Sequence, residues 1–317
     1  MTLLLNRSDL ESLLDPAGCL DALRRGFGAP PAESPARRTV APLPGPGTAT
    51  ALLPGLVAGV PAYTVKVNAK FPGNRPALRG VVCLHDLETG ELLAQLDSAT
   101  VTAWRTGLAA ALGTHALARP GAGAIAVVGA GAQAELVLRG LAELRPVHAL
   151  TVCDLDAGRA AAFAERHGAG LGVPASVAAD PRAAARAAGI VVTATWARRP
   201  LLHAADVAPG THVTSLGADE PGKAELGADL LKAARVVVDD VALAVEMGVL
   251  AAAGLDVQHA AGTLRDLLRG EVPGRVRDEE VTVYAPVGLP WQDLALSWAA
   301  YEAARAAGTG REFDFLA

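Results

Sequence analysis

Apolar and polar positions along the chain change period several times, and each change predicts a different kind of element. Two runs near the start, "NRSDLESLLD" and "LDPAGCLDALRRGF", carry apolar residues at helical spacing. In the first, Ser8 with Glu11 three positions later reads as a capping box; in the second, Asp15 and Pro16 read as a cap and first helical position. Over residues 37–96 the pattern breaks into short apolar stretches with turn residues between them: "RRTVAPLP", "ATALLPGLV", "AYTVKVNAKF" and "RGVVCLHDLETGELLAQL". This predicts a mostly antiparallel sheet, with a hairpin at "DLETG" and a local turn cluster at "PLPGPG". "SATVTAWRTGLAAALGTHALA" returns to helical spacing and stops at "RPGAG", which places a domain boundary near residue 120.

Beyond that point strand and helix patterns alternate: "AIAVVG", "AQAELVLRGLAEL", "ALTVCDL", "AGRAAAFAERHG", and later "IVVTAT", "HVTSLG" and "RVVVDD". Such alternation predicts an α/β domain with a doubly wound parallel sheet. The tail "WQDLALSWAAYEAARAAG" reads as an amphipathic helix that returns to the first domain.

Gly129, Gly131 and Ala134 form G-x-G-x-x-A directly after an apolar strand and directly before a helix, the context that gives this pattern meaning. Gly129 permits a tight turn, Gly131 lets the backbone approach a pyrophosphate, and Ala134 lets helix and strand pack closely. The next strand ends in Asp154, where a carboxylate would accept hydrogen bonds from ribose hydroxyls. This favours NAD, while nearby Arg159 admits NADP.

Composition narrows the classes. At 317 residues the chain accommodates two domains, and a net charge of −5 without a Lys/Arg-rich run gives no surface for nucleic acid. No apolar stretch is long enough to span a membrane and the start lacks a secretory leader, so a soluble, cytoplasmic protein without a membrane partner is expected. Three cysteines without a CxxC pair suggest neither disulfides nor zinc. His85, His115, His203 and His212 lack metal-ligand spacing, so no metal is expected. Three cations, Arg38, Lys66 and Arg105, stand at strand ends or early in a helix, as a small carboxylate substrate would require if they converge. Trp104 and Trp291 read equally well as pocket lining or as packing.

Taken in order, "ARRTVAPLP", "TVKVNAKFPGN", "TGELLAQLDSATVTAWRTGLAAALGTHALA", "VVGAGAQA", "SLGADEPGKAEL" and "VGLPWQDLA" closely resemble the ornithine cyclodeaminase/mu-crystallin family over nearly the whole chain. The resemblance implies a homodimer with two domains. Residues 1–120 with 288–317 would form an α+β substrate-binding and dimerisation domain, and residues 121–287 a Rossmann-type NAD-binding domain. It also implies carboxylate-binding roles for Arg38, Lys66 and Arg105, a substrate contact at Lys66, and a catalytic acid/base at Asp219. Thr106, Gly129, Gly131, Ala132, Gln133, Asp154, Thr193 and Thr195 complete the candidate cofactor set. An imino acid needs a cationic clamp, a hydride partner and an acid/base for nitrogen, which agrees with this assignment. The expected activity is therefore NAD(P)-dependent reduction of a small α-imino acid or cyclic ketimine, or the reverse oxidation of an amino acid. A cyclodeaminase releasing ammonia and a non-catalytic nucleotide-bound carrier are the alternatives. Two departures from the family pattern, Val81 in place of a common Thr and Ala285-Pro286 in place of Lys-Ser, suggest a different or more apolar substrate end.

Overall fold

A computed structural model describes residues 1–30, 34, 36–44, 47–71, 73–74 and 76–317. Positions 45 and 46 of the expected "PLPGPG" turn cluster lie outside the described residues. The chain divides into two compact units, Met1–Leu108 with Leu289–Ala317, and Ala109–Gly288.

The first unit is built on a seven-stranded sheet in the order Arg311–Phe313, Thr2–Leu5, Leu92–Asp97, Leu78–Asp86, Ala62–Lys70, Thr48–Gly55, Arg37–Pro42. The five strands between Arg37 and Asp97 are antiparallel neighbours, as the turn-punctuated pattern predicts. At the "DLETG" hairpin, Asp86 accepts hydrogen bonds from the backbone of Glu88 and from both the backbone and hydroxyl of Thr89. The first helix, Arg7–Leu13, is capped by Asn6 in reciprocal bonds with Asp9, not by Ser8. Strand Thr2–Leu5 ends just before Asn6, which moves the cap two positions upstream of the sequence expectation. Asp15 and Pro16 open the second helix, Pro16–Gly28, as expected.

Side-chain alternation divides this sheet into two unlike faces. Leu52, Lys66, Val82 and Leu96 lie in one cross-strand row and are each no more than 4% exposed. That face packs on helix Pro290–Ala307, which also packs on Pro16–Gly28. Trp291 is a packing residue: its ring meets Phe27 edge-on at 4.8 Å and leaves no room for a side chain at Gly26. The expected amphipathic pattern of this helix is corrected by the structure. Its first half is buried all round, so that Gln292, Asp293 and Ser297 are at most 1% exposed.

The second unit carries an eight-stranded sheet, parallel throughout, in the order Ala260–Thr263, Arg235–Val238, Thr282–Tyr284, His212–Ser215, Ile190–Thr193, Ala124–Val128, Ala149–Cys153, Ala175–Val177. Apolar cores cover it on both faces, which is why its central strands read as continuous apolar runs. Strand order reverses between Ala124–Val128 and Ile190–Thr193, and their carboxyl ends flank the crevice where such sheets bind ligands. A separate two-stranded parallel sheet joins Arg198–Leu202 to Ala224–Leu226. Among the described residues no helix is long and apolar enough to cross a membrane.

Candidate active site

In the first unit the sheet register brings the predicted cations together. Arg38 pairs with Leu52 and Leu52 with Lys66, so Arg38 and Lys66 share one face, two strands apart, at a separation of about 10 Å between backbones. Arg105, one turn beyond Thr102 on helix Ser98–Leu117, joins them through a carboxylate missed in the sequence reading. Asp293 stands 2.7 Å from Lys66 Nζ and 3.3 Å from Arg105 Nε, and its side chain is 1% exposed. Thr102 Oγ1 lies 3.4 Å from Lys66 Nζ, and Arg105 Nη1 donates to Gln292 Oε1. Burial draws the Lys66 ammonium down to about 8; Asp293 raises it, while Arg105 and then Arg38 lower it further. Two cations sharing one buried anion leave a net positive charge, and Arg38 adds to it. The arrangement can receive a carboxylate.

Asp293 lies in the first turn of an 18-residue helix. Its sequence signal was present in "LPWQDLALSW", in which polar residues interrupt a helix that is otherwise apolar on every side. Thr106 adds a buried hydroxyl without a hydrogen-bond partner among the described residues. Val81, by contrast, pairs with Val67 on the face opposite Lys66, so the missing hydroxyl there says nothing about the lining beside that lysine.

In the second unit the glycine turn has the geometry its sequence implies. Gly129 has φ +95°, and a Cβ there would stand 2.5 Å from the Ala194 carbonyl and 2.9 Å from Thr195 Cγ2. Gly131 has no such steric requirement: a Cβ there would meet no protein atom within 4 Å. It is the N-cap of helix Ala132–Leu144 and supplies no side-chain bond, so the Ala132 and Gln133 region opens the helix with backbone donors for an anion. Ala134 is fully buried. Asp154 stands beside the turn and accepts from Ala130 N at 2.8 Å through Oδ2, while Oδ1 accepts from Asp156 N and lies 3.5 Å from Arg159 Nη1. A carboxylate has lone pairs beyond these bonds, so Asp154 can still accept ribose hydroxyls.

Asp219 follows strand His212–Ser215 and pairs with Lys223 at 2.8 Å. Lys223 is also 3.1 Å from Glu220, and its ammonium sits 4.4 Å above the ring centre of exposed Trp196. Burial opposes charge on Lys223, but Asp219 and Glu220 outweigh it and hold the ammonium above its ordinary range. Two further carboxylates escaped the sequence reading. Glu225 is fully buried and accepts from Thr193 and Thr195, and Asp239 accepts from Val287 N and Gly288 N at 3.0 and 2.6 Å. Ala285, in the segment that departs from the family pattern, is 2% exposed. Among the described residues no group of three or more His, Cys, Asp or Glu side chains is placed to hold a metal ion.

Comparison with known proteins identifies the family. The ornithine cyclodeaminase/mu-crystallin family model matches residues 9–308. An alanine dehydrogenase of Archaeoglobus fulgidus is 32% identical over 261 residues, covering 77% of this chain and 78% of that protein. Among solved structures, an archaeal alanine dehydrogenase dimer with bound NAD aligns at TM-score 0.90 and 28% identity, over 99% of both chains. Thermococcus litoralis Delta(1)-pyrroline-2-carboxylate reductase, in complex with NADH and L-proline, aligns at TM-score 0.91 and 27% identity, covering 98% of this chain and 100% of that one. Both units, the glycine turn and the cation row fall within one continuous match, and the chain belongs to the ornithine cyclodeaminase/mu-crystallin family.

Proposed function

We propose that this protein is an NAD(P)-dependent oxidoreductase that reduces a small α-imino acid or cyclic ketimine, or in reverse oxidises the corresponding amino acid. The observation that carries this reading is a cluster of cations: Arg38 and Lys66 share one sheet face, and Lys66 and helix-borne Arg105 share the buried carboxylate of Asp293. Such a set suits one substrate carboxylate.

The residues present fit a dinucleotide. Gly131 leaves room for a pyrophosphate at an uncapped helix start, Gly129 shapes the turn, and Asp154 stands where ribose hydroxyls would be bound. Ala132, Gln133, Thr106, Thr193 and Thr195 complete the proposed cofactor contacts. The cofactor is NAD by this reading, with Arg159 able to offset the charge of Asp154 and admit NADP. When bound, its nicotinamide supplies or accepts hydride at the substrate carbon next to the carboxylate. Arg38, Lys66 and Arg105 hold that carboxylate, and Asp219 gives the proton to the nitrogen on reduction or takes it on oxidation. Lys223 keeps Asp219 oriented between turnovers.

In the same reading, residues 1–120 with 288–317 bind substrate and form a homodimer, and residues 121–287 bind the cofactor in a cytoplasmic enzyme. The dimer is supported by Leu53, Val67 and Val81, which are exposed on the sheet of the first unit. The archaeal alanine dehydrogenase, a dimer, offers a precedent.

The test is NADH oxidation by purified protein with pyrroline-2-carboxylate, piperideine-2-carboxylate, or pyruvate plus ammonium. Loss of NADH with at least one of these is expected. Protein that binds NADH, consumes none, and releases ammonia from ornithine or lysine would overturn the reading in favour of a cyclodeaminase.

A further inference from the structure

We propose that Glu225 is a positioning residue for this reaction, fixing together the glycine turn and the loop that carries Asp219. The role in catalysis rests on the function proposed above. The geometry stands by itself.

Glu225 lies in the short strand Ala224–Leu226 and is 0% exposed. Its Oε1 accepts from Thr195 N and Thr195 Oγ1, each at 2.7 Å. Its Oε2 accepts from Thr193 Oγ1 at 2.7 Å, Ser215 Oγ at 2.8 Å and Gly217 N at 2.7 Å. Two of the five, Thr195 N and Gly217 N, can only donate, one to each oxygen, so both carboxyl oxygens act as acceptors. These donors come from the carboxyl ends of two neighbouring sheet strands, Ile190–Thr193 and His212–Ser215, and from the residues that follow them.

Each bond continues toward a candidate functional group. Thr195 packs where a Cβ on Gly129 would stand, so holding Thr195 sets one wall of the glycine turn. Gly217, two residues before Asp219, lies so close to Glu225 that a Cβ there would stand 2.5 Å from the carboxyl group. Lys223, two residues before Glu225, holds Asp219 from the other side at 2.8 Å. Residues 223–225 therefore grip the Asp219 loop at two points and the cofactor turn at a third. A buried charge is costly, and a role limited to stability would be served as well by apolar packing.

The experiment compares wild type, Glu225→Gln and Ser215→Ala in three measurements: melting temperature, NADH affinity by fluorescence, and backbone hydrogen exchange of peptides covering 194–197 and 216–219. Gln puts an NH2 group against one of the two backbone donors, Thr195 N or Gly217 N, breaks that bond and reverses the hydroxyl bonds beside it. The expected result is folded Glu225→Gln protein with NADH affinity weakened about tenfold or more and faster exchange in both peptides. Ser215→Ala removes one bond at a site 1% exposed, out of reach of any ligand, and is expected to weaken NADH binding by a few-fold while folding normally. If Glu225→Gln does not fold, Ser215→Ala decides the matter alone. Unchanged NADH affinity and exchange in a folded variant would overturn the proposal. A wild type that binds NADH but reduces no imine would instead overturn the substrate reading. Even a wild type that bound no NADH would leave the exchange measurement to decide whether Glu225 holds the two loops.

Discussion

Asp293 shows how one side chain organises a site it need not touch chemically. Removing it, as in Asp293→Ala, leaves the Lys66 and Arg105 charges buried and unbalanced. The expected cost is about 3–5 kcal/mol of unfolding free energy, measured by urea titration, compared with well under 1 kcal/mol for an exposed pair such as Arg24–Asp21. Lys66→Met is expected to raise KM for the imino acid about 10- to 100-fold by removing one charged contact to the carboxylate. Lys66 titrates near 8, so it is charged below that pH and neutral above it. The kcat/KM for a carboxylate substrate should therefore fall as pH rises through about 8. In Lys66→Arg that basic limb should disappear, because a guanidinium stays charged. Arg38, Lys66 and Arg105 were singled out by the family resemblance, since by position alone each looks more like a surface charge; Lys66 in fact lies in the middle of its strand and not at an end as expected. Asp293 and Glu225 were passed over, although polar residues interrupting "LPWQDLALSW" marked the first, because a lone acid in a helix or two positions from a lysine looks like solvated surface until the fold encloses it. The spacing of Asp219 and Lys223 was visible, but not their pairing, since a Pro-Gly turn between them sets the distance.

The glycine turn is the element on which sequence and structure agree most closely, and its two glycines can be told apart by experiment. Gly129→Ala forces a side chain into a left-handed backbone and against the Ala194 carbonyl, so loss of both NADH binding and thermal stability is expected. Gly131→Ala meets no protein atom, so it should melt like wild type and lose only NADH affinity. The strands were legible where apolar runs were long. The three-residue strands Ala175–Val177 and Thr282–Tyr284 were not, because so short a segment is set by its neighbours and carries no period of its own. The same sheet carries a pH-sensitive element. His212 is fully buried, with its two ring nitrogens 2.9 Å from the Thr282 and Thr214 hydroxyls, and burial first, then Arg275 and Arg145, push its pKa down to about 3. The unfolded chain takes up this proton near pH 6.5 while the folded chain does not. Stability from this residue is thus present above pH 6.5 and declines toward pH 3, by up to about 1.4 kcal/mol per pH unit. Melting temperatures between pH 7 and 4.5 should show that decline, and His212→Gln should flatten it.

For the molecule as a whole, the proposed dimer can be tested on the exposed apolar side chains Leu53, Val67 and Val81 of the first unit's sheet. Val67 and Val81 are direct cross-strand neighbours there, so Val67→Glu with Val81→Glu places two like charges side by side. Sedimentation analysis should show a dimer for the wild type and a monomer for this double variant. The division of the chain has a further consequence, for the order of events during synthesis. The second unit is one unbroken segment, Ala109–Gly288, whereas the first is completed only by Leu289–Ala317. Arg105 and its partner Gln292 are 187 positions apart, and Asp293 follows immediately. As the chain leaves the ribosome, the second unit has all its sequence while the first still lacks the helix that neutralises Lys66 and Arg105. The nascent first unit must wait with two cations facing an unfinished core, and a chain released before Asp293 is made carries those charges without their counterion. The core that holds the proposed carboxylate clamp therefore closes only once the chain has been read through Asp293, long after Lys66 and Arg105 have been made.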